Sequence, residues 1–316
     1  MKSTHRPIVG ALLGLSLLAA CRGDSGGTNN PAPDGSVDMP KAIHIQDVQS
    51  DSMPPGTLFD LHGVVVTAVD GFGTRTGDFW VEEPGGGPFS GVHVFGAPTT
   101  QVANIKAGDI VDITGGSKSE FAISSDTSGR TVTEVQAPKG GMLTVTKSGV
   151  GTIPAPAVVD ALVIGQKATQ AARDAEWEKW EGVLITLNHV SALGAPQCIT
   201  SAGNCTDATF QSFSITGVAK AESSLVAFPT PTVKPGDCFA SMTGVVDYVF
   251  DYLIYPRSAD DMVTGGTGCP PREIQNLCAD GVDNDGNGFG DCMDFGCEVG
   301  PDAWLGTSCT DRKSVV

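Results

Sequence analysis

The sequence predicts an all-β fold of two small β-barrel units joined by one helix, and three observations carry that expectation. Gly accounts for 41 of 316 residues while charged residues are only 17%, a turn-rich, charge-poor balance. The apolar residues fall in short β-branched runs closed by Gly- or Pro-rich turns. Helix-period apolar stretches are rare. The length allows about two domains.

The chain opens Met1-Lys2-Ser3-Thr4-His5-Arg6, then runs apolar from Ile8 to Ala20. A basic start, an apolar run too short to span a bilayer and small residues at its end describe a secretory signal over residues 1–20. Leu18-Ala19-Ala20-Cys21 resembles the lipobox of bacterial lipoproteins. The resemblance implies that Cys21 becomes the mature N-terminus and carries palmitate. It implies a protein of the cell envelope, anchored to the membrane through its lipid. The outer membrane is expected, with the periplasmic or the surface face open. Residues 21–40, rich in Gly, Ser, Asn and Pro, cannot bury surface and are expected to form a flexible tether. Loss of Lys2 and Arg6 takes the formal net charge from −17 to −19. That charge repels phosphate backbones and anionic head groups and suits cation binding.

Five strands are expected in the first unit, residues 41–140: Leu58 to Val66, Asp78 to Val81, Gly91 to Phe95, Asp109 to Ile113 and Thr131 to Val135. Turns such as Pro84-Gly85-Gly86-Gly87-Pro88 separate them. Residues 141–265 are expected to hold the linking helix and the second unit. A weak internal repeat supports the division. Gly63-Val64-Val65-Val66-Thr67 recurs as Gly182-Val183-Leu184-Ile185-Thr186. Downstream, Gly108-Asp109 leads to Thr114-Gly115, as Gly236-Asp237 leads to Thr243-Gly244. Gly-Asp makes the turn into a strand, and Thr-Gly is expected to end it where the sheet bends. Ala168 to Trp180 lacks Gly and Pro and is rich in helix formers, so it is the expected linking helix. Trp177 and Trp180 share one face of it. They are read as sealing the junction between the units, with a stacking or sugar-binding platform as the other possibility.

Asp78 to Glu83, Ser90 to Phe95, Gly108 to Gly115, Glu178 to Ile185 and Tyr255-Pro256-Arg257, in that order, resemble the OB-fold-like region ahead of the catalytic domain in bacterial extracellular nucleases. The resemblance covers roughly residues 41–263. It implies two tandem OB-like barrels and an accessory binding role. The family's hydrolytic domain is expected to be missing, since only residues 266–316 follow.

Nine cysteines are present. With Cys21 acylated, eight remain as disulfide candidates in an oxidising compartment. Cys198, Cys205 and Cys238 lie in the body. Cys269, Cys278, Cys292, Cys297 and Cys309 lie in the tail, residues 266–316. Both groups are odd, so either one bridge joins tail to body or two thiols stay free.

The same tail carries the candidate metal site. Asp283, Asp285, Asn287, Phe289 (through its carbonyl), Asp291 and Asp294 fall at the ligand positions of an EF-hand calcium loop, with Gly288 at the sharp turn. Calcium wants many hard oxygens, and a short loop supplies them when alternate residues point inward. Asp294 stands where Glu usually gives two oxygens, Gly290 where an aliphatic residue packs, and long flanking helices are lacking. The interleaved Cys278, Cys292 and Cys297 make the segment similar to thrombospondin type-3 repeats. The expected cofactor is structural Ca2+, ordering a tail too small to build a core.

No catalytic constellation is visible. Past the signal, His44, His62, His93 and His189 show no metal-ligand spacing, and no nucleophile motif or phosphate loop occurs. Glu82-Glu83 and Asp260-Asp261 read as solvated surface. Gly77-Asp78-Phe79-Trp80 is faintly similar to a nuclease metal motif but has no partner His in sequence and is set aside. The expected function is a non-enzymatic binding or structural module with a protein or carbohydrate ligand. The alternative is an accessory nucleic-acid-binding protein associated with an extracellular nuclease, with Phe79, Trp80 and Phe95 stacking on bases. The scattered Lys106, Lys118, Arg130 and Lys139 weigh against it.

Overall fold

A computed structural model describes residues 43–72, 77–198, 210–229, 232–273, 277–278, 280–294 and 297. The expected signal peptide, Cys21 and the tether lie outside the described residues. So do Cys205 and Cys309. No helix among the described residues is long and apolar enough to cross a membrane.

The chain is mostly β with few helices. The first sheet is built from β1 (Leu58–Val69), β2 (Phe79–Glu82), β3 (Gly91–Val94), β4 (Asp109–Phe121), β5 (Val132–Gln136) and β6 (Thr144–Val150), in the order β1-β2-β3-β5-β4-β6. A further antiparallel pairing of β1 with β4 closes five of these strands into a barrel. All five expected strands are present. Two expectations need correction. β6 pairs with β4 along its length, so the first sheet runs past the boundary expected at residue 140. Thr114-Gly115 also does not end its strand, because β4 continues to Phe121. Gly115 sits at φ +69° and donates its N–H to the Asp60 carboxylate at 2.8 Å. The strand bends there instead of stopping, which lets one long strand serve two sides of a small barrel.

Phe59, Leu61, Phe79, Val92, Val94, Val111, Ile113 and Val135 fill the barrel, and the short helix α1 (Ile45–Gln49) seats Ile45 and Val48 on them. Each such side chain contributes about 1.5–3 kcal/mol when fully buried. Alternate positions along the strands supply this core, as the two-residue period requires.

The second sheet contains β7 (Ala157–Val159), β8 (Leu184–Ser191), β9 (Gln197–Cys198), β10 (Gln211–Ile215), β11 (Ala219–Glu222), β12 (Cys238–Val249) and β13 (Asp251–Tyr255), in the order β7-β8-β12-β13-β11-β10-β9. β14 (Met262–Thr264) pairs with β12. β8–β12 and β12–β13 are antiparallel, β13–β11 is parallel and β11–β10 is antiparallel. The first sheet has the same senses in the same succession at β1–β4, β4–β5, β5–β3 and β3–β2. Where β1–β2 closes the first barrel, the second sheet has a single antiparallel bridge between Ala192 and Ile215.

Between the sheets lie α3 (Ala161–Gly165) and α4 (Gln170–Trp177), the latter extended by a 3-10 turn over Glu178–Trp180. The helix expected from Ala168 to Trp180 is therefore present, capped by the Thr169 hydroxyl, which accepts the Ala172 N–H. Trp177 is fully buried in the second core. Its indole donates to the Gly217 carbonyl at 2.8 Å, and its ring stacks on Tyr252. Trp180 packs on the same core. Trp177 and the half-buried Trp180 thus pack on the core of the second sheet and not in the apolar cluster shared by the two sheets.

The two sheets meet along a shared apolar cluster containing Ala68, Trp80, Leu184, Val245, Leu253 and Tyr255. At its edge the backbones touch. A Cβ on Gly91 of β3 would stand 2.1 Å from the Gly182 carbonyl oxygen, far inside van der Waals contact. Gly91→Ala should therefore destabilise the protein by about 3 kcal/mol through forced separation of the sheets. Gly85→Ala, which meets nothing within 4 Å, should change stability by less than about 0.5 kcal/mol. Urea unfolding of the two variants checks this, and equal midpoints would refute the tight junction.

Two disulfides organise the C-terminal part. Cys238–Cys269 joins the start of β12 to the tail, so a bridge does connect tail to body. Cys278–Cys297 encloses the Asp-rich loop. Their separations of 31 and 19 residues correspond to about 3–4 kcal/mol each in the chain-entropy account. Cys198 is disulfide-bonded as well.

Candidate functional site

The tail is tied to the second sheet by backbone contacts. The Ser191 hydroxyl of β8 donates to the Pro270 carbonyl at 2.6 Å. Gly217 N–H, in the β10–β11 turn, donates to the Gly286 carbonyl at 2.8 Å. Gln166, just past α3, donates through Nε2 to the Asp283 carbonyl at 3.0 Å. A Cβ on Gly165 would collide with Gly286 at 2.2 Å. The Asp-rich loop is thus pressed onto α3 and the β10–β11 turn.

Within the loop, the Asp283 carboxylate accepts N–H groups from Gly286, Asn287 and Gly288 at 2.8, 3.1 and 2.7 Å. That folds the segment into successive tight turns. Asp285 and Asp294 are buried and converge with Glu273, which is fully buried. One carboxylate oxygen from each lies within 4.8 Å of the other two. Glu273 also accepts the Asn284 and Asp291 N–H groups at 2.8 and 2.6 Å. A second group joins Glu273 to Asp280 and Asp291, and the Asp291 carboxylate accepts the Gly281 N–H.

Of the six expected ligands, Asp285 and Asp294 are brought together and Asp291 stands in the adjoining group. Asp283 is engaged by its own loop. Asn287 donates its amide to Asp294 and accepts the Phe289 N–H. The Phe289 ring is exposed. Glu273 was not legible from the loop pattern, because it lies upstream of it. The one signal was a carboxylate held between Cys269 and Cys278, inside the disulfide frame. The side chain of Cys292 is outside the described atoms.

The donor set fits a hard cation. Oxygens on a coordination sphere of roughly 2.4 Å radius lie no more than about 4.8 Å apart. Burial, with Asp294 and Asp283 adding to it, pushes the Asp285 carboxyl up to about 7. Burial also raises Glu273 and Asp283. A cavity of about 490 Å³ adjoins this cluster and is lined in part by Lys220, Asp251, Arg272 and Phe289.

Other expectations are corrected by the packing. Glu82 is not solvated but 1% exposed. It accepts the Leu184 N–H at 3.2 Å and the Ser90 hydroxyl at 3.0 Å, and burial holds its carboxyl up at about 7. Asp261 grips Arg257 through two contacts of 3.0 Å. Asp78 does have a neighbouring His, since it lines one small cavity with His93. Phe79 and Trp80 are buried, with Trp80 stacked on His93 at 4.5 Å, so neither can receive a base. Lys118 is buried against Glu120 at 2.9 Å, and Arg130 pairs with Asp174 at 2.9 Å. These two cations are spent on internal contacts.

No protein-family profile matches the chain, and no curated protein matches it. One solved structure that it is similar to, described as "Structural mimicry for functional antagonism", shares 12% identity. That likeness covers 70% of this chain and all of the other at a TM-score of 0.28, a level that carries no argument.

The junction should respond to pH. Burial raises Glu82 and Glu134 to about 7. For His93, burial alone would lower the pKa, but Asp247, then Glu134 and Asp78, raise it above the ordinary value. All three groups bind protons more tightly folded than unfolded. Their stabilisation is complete below their unfolded values and is lost as pH rises through the folded ones. The melting temperature should therefore fall between pH 5 and pH 8. Glu82→Gln should flatten the profile by on the order of 2 kcal/mol, and an unchanged profile would refute this account.

Proposed function

We propose that this chain is a lipid-anchored cell-envelope protein without catalytic activity. It acts as a binding module built of two tandem OB-like barrels, with a calcium-held tail clamped on the second. The tandem reading is supported by the recurrence of the same strand-pairing senses in both sheets and by the Ala192–Ile215 bridge at the place of closure. The repeated sequence words fall at matching strands, β1 with β8 and β4 with β12. The lipid anchor rests on Leu18-Ala19-Ala20-Cys21. A protein or carbohydrate ligand suits a surface with a net charge of −17. A nucleic-acid partner finds less support, because Lys118 and Arg130 are engaged internally and the total charge repels phosphate.

The observation that carries the calcium role is the convergence of Glu273, Asp285 and Asp294 in a buried site. Three buried carboxylates repel one another, and a divalent ion would offset that repulsion while fixing the tail to the second sheet. External calcium is plentiful, so even a weak site stays loaded, and the role is structural.

Calcium should raise the melting temperature of the wild-type protein and a chelator should lower it, by about 3 kcal/mol at a hundredfold excess over the dissociation constant. Glu273→Gln should abolish that response while keeping an oxygen for one of the two N–H groups, those of Asn284 on Oε2 and Asp291 on Oε1, that the carboxylate accepts. A full calcium response in the variant would place the ion elsewhere. For the anchor, radiolabelled palmitate should enter the wild-type chain and not Cys21→Ser. Equal labelling of both would refute it.

A further inference from the structure

Where the two sheets meet, apart from the tail, there is a cavity of about 70 Å³. Its walls carry four carboxylates: Asp70, Asp78, Glu134 and Asp247. Among the described residues lining it, none is Lys or Arg, and His93 is the one basic side chain. The aromatic rings of Trp80 and Tyr255 form part of the wall. Phe95 and Phe121, 43% and 46% exposed, stand at the open side.

Both nitrogens of one buried ring in this wall, His93, lack a hydrogen-bond partner. His93 is 8% exposed. Its Nδ1 lies 3.2 Å from Asp247 Oδ2 but outside hydrogen-bonding geometry, and its Nε2 has no partner. Glu134 is 5% exposed, and His93 at 3.9 Å is the contact made by its carboxylate among the described residues. The other acids are differently placed. Asp247 accepts the Trp80 indole at 3.1 Å and the Tyr248 N–H at 2.7 Å, while Asp78 accepts the Gly96 N–H at 2.8 Å. Burying a carboxylate whose one contact is a 3.9 Å ion pair is costly unless something completes it.

We propose that this slot is a binding site for a compact alkylammonium group, presented by a free amine or by a lysine side chain of a peptide. An ammonium offers three donors to the four carboxylates of the wall. Its carbon stem suits the exposed aromatic lip of Phe95 and Phe121. The slot admits a small head group, and a quaternary one, having no N–H, could not donate to its carboxylates. A metal ion is less suited, because His93, Glu134 and Asp247 do not bring ligand atoms together as the tail acids do.

The test is a titration of the intact protein with methylammonium at fixed ionic strength and about pH 8.5, above the value of about 7 to which burial raises Glu134, read by tryptophan fluorescence and melting temperature. Tetramethylammonium serves as the bulky control. The expected dissociation constant is about 1–10 mM, the ceiling that two heavy atoms allow, and tetramethylammonium should bind at least about tenfold more weakly. Glu134→Gln removes charge without breaking a hydrogen bond and should weaken methylammonium about tenfold. Tighter binding of Nα-acetyl-lysine methylamide than of methylammonium would assign the source to a peptide, and weaker binding to a free amine. Equal binding of tetramethylammonium, unchanged affinity in Glu134→Gln, or no saturation by methylammonium up to about 100 mM would each overturn the proposal. Should Glu134→Gln fail to fold, the two wild-type titrations still decide it.

Discussion

The backbone contact between Gly91 and Gly182 sets the terms for the rest of the molecule. With no Cβ on either residue, β3 of the first barrel lies directly against the residue that leads into β8. That approach puts Glu82 within reach of the Leu184 N–H and the Trp80 indole within reach of Asp247. It also brings Glu181 to the Thr133 N–H at 2.7 Å. The polar groups crossing the junction are mostly carboxylates accepting from backbone or indole donors. Apolar contact alone would let the two sheets slide past each other. Directed acceptors of this kind fix one relative placement, at the cost of burying acids near neutral pH.

The tail is held by the same kind of contact. Gly165 and Gly286 touch as Gly91 and Gly182 do, and the Cys238–Cys269 bridge keeps the segment from leaving the edge of β12. Its acids then have no room to spread. Glu273 cannot turn to water, because it is fixed by two backbone N–H groups, and Asp285 and Asp294 are buried beside it. A segment with almost no apolar core of its own is kept compact by two disulfides and by whatever neutralises these oxygens.

Much of the first barrel was legible in the sequence because its strands alternate and end at Gly- or Pro-rich turns. The helix before β8 was legible from composition alone. The Thr114-Gly115 word was misleading for a physical reason. Gly at positive φ reads as a terminus locally, yet in a closed barrel it marks a bend inside a continuous strand. β6 escaped notice because its burial is shallow and its sequence carries no apolar alternation. The tail spacing pointed to Asp285 and Asp294 but could not reveal Glu273, which joins them only through the docking of the tail. The junction was the least visible part. Glu82-Glu83 looks like any solvated pair, and nothing in a linear pattern says that one of them faces a second barrel. Asp78 seemed to lack a His because His93 reaches it across the sheet from the neighbouring strand.

Both seams of the molecule, between the two sheets and between the second sheet and the Asp-rich segment, concentrate carboxylates where a monomeric fold usually places apolar side chains. The two differ in how the negative charge is arranged. In the tail, three oxygens converge within the span of a single ion, so the geometry selects a small hard cation. At the junction, the acids are spread around a cavity with aromatic walls and an unpartnered imidazole, so no single point can satisfy them. An ammonium, whose three N–H donors point in different directions from an apolar stem, suits that arrangement better than a spherical ion. The same excess of acid thus forms two differently shaped clusters, set apart by whether the backbone lets the carboxylates meet or holds them apart.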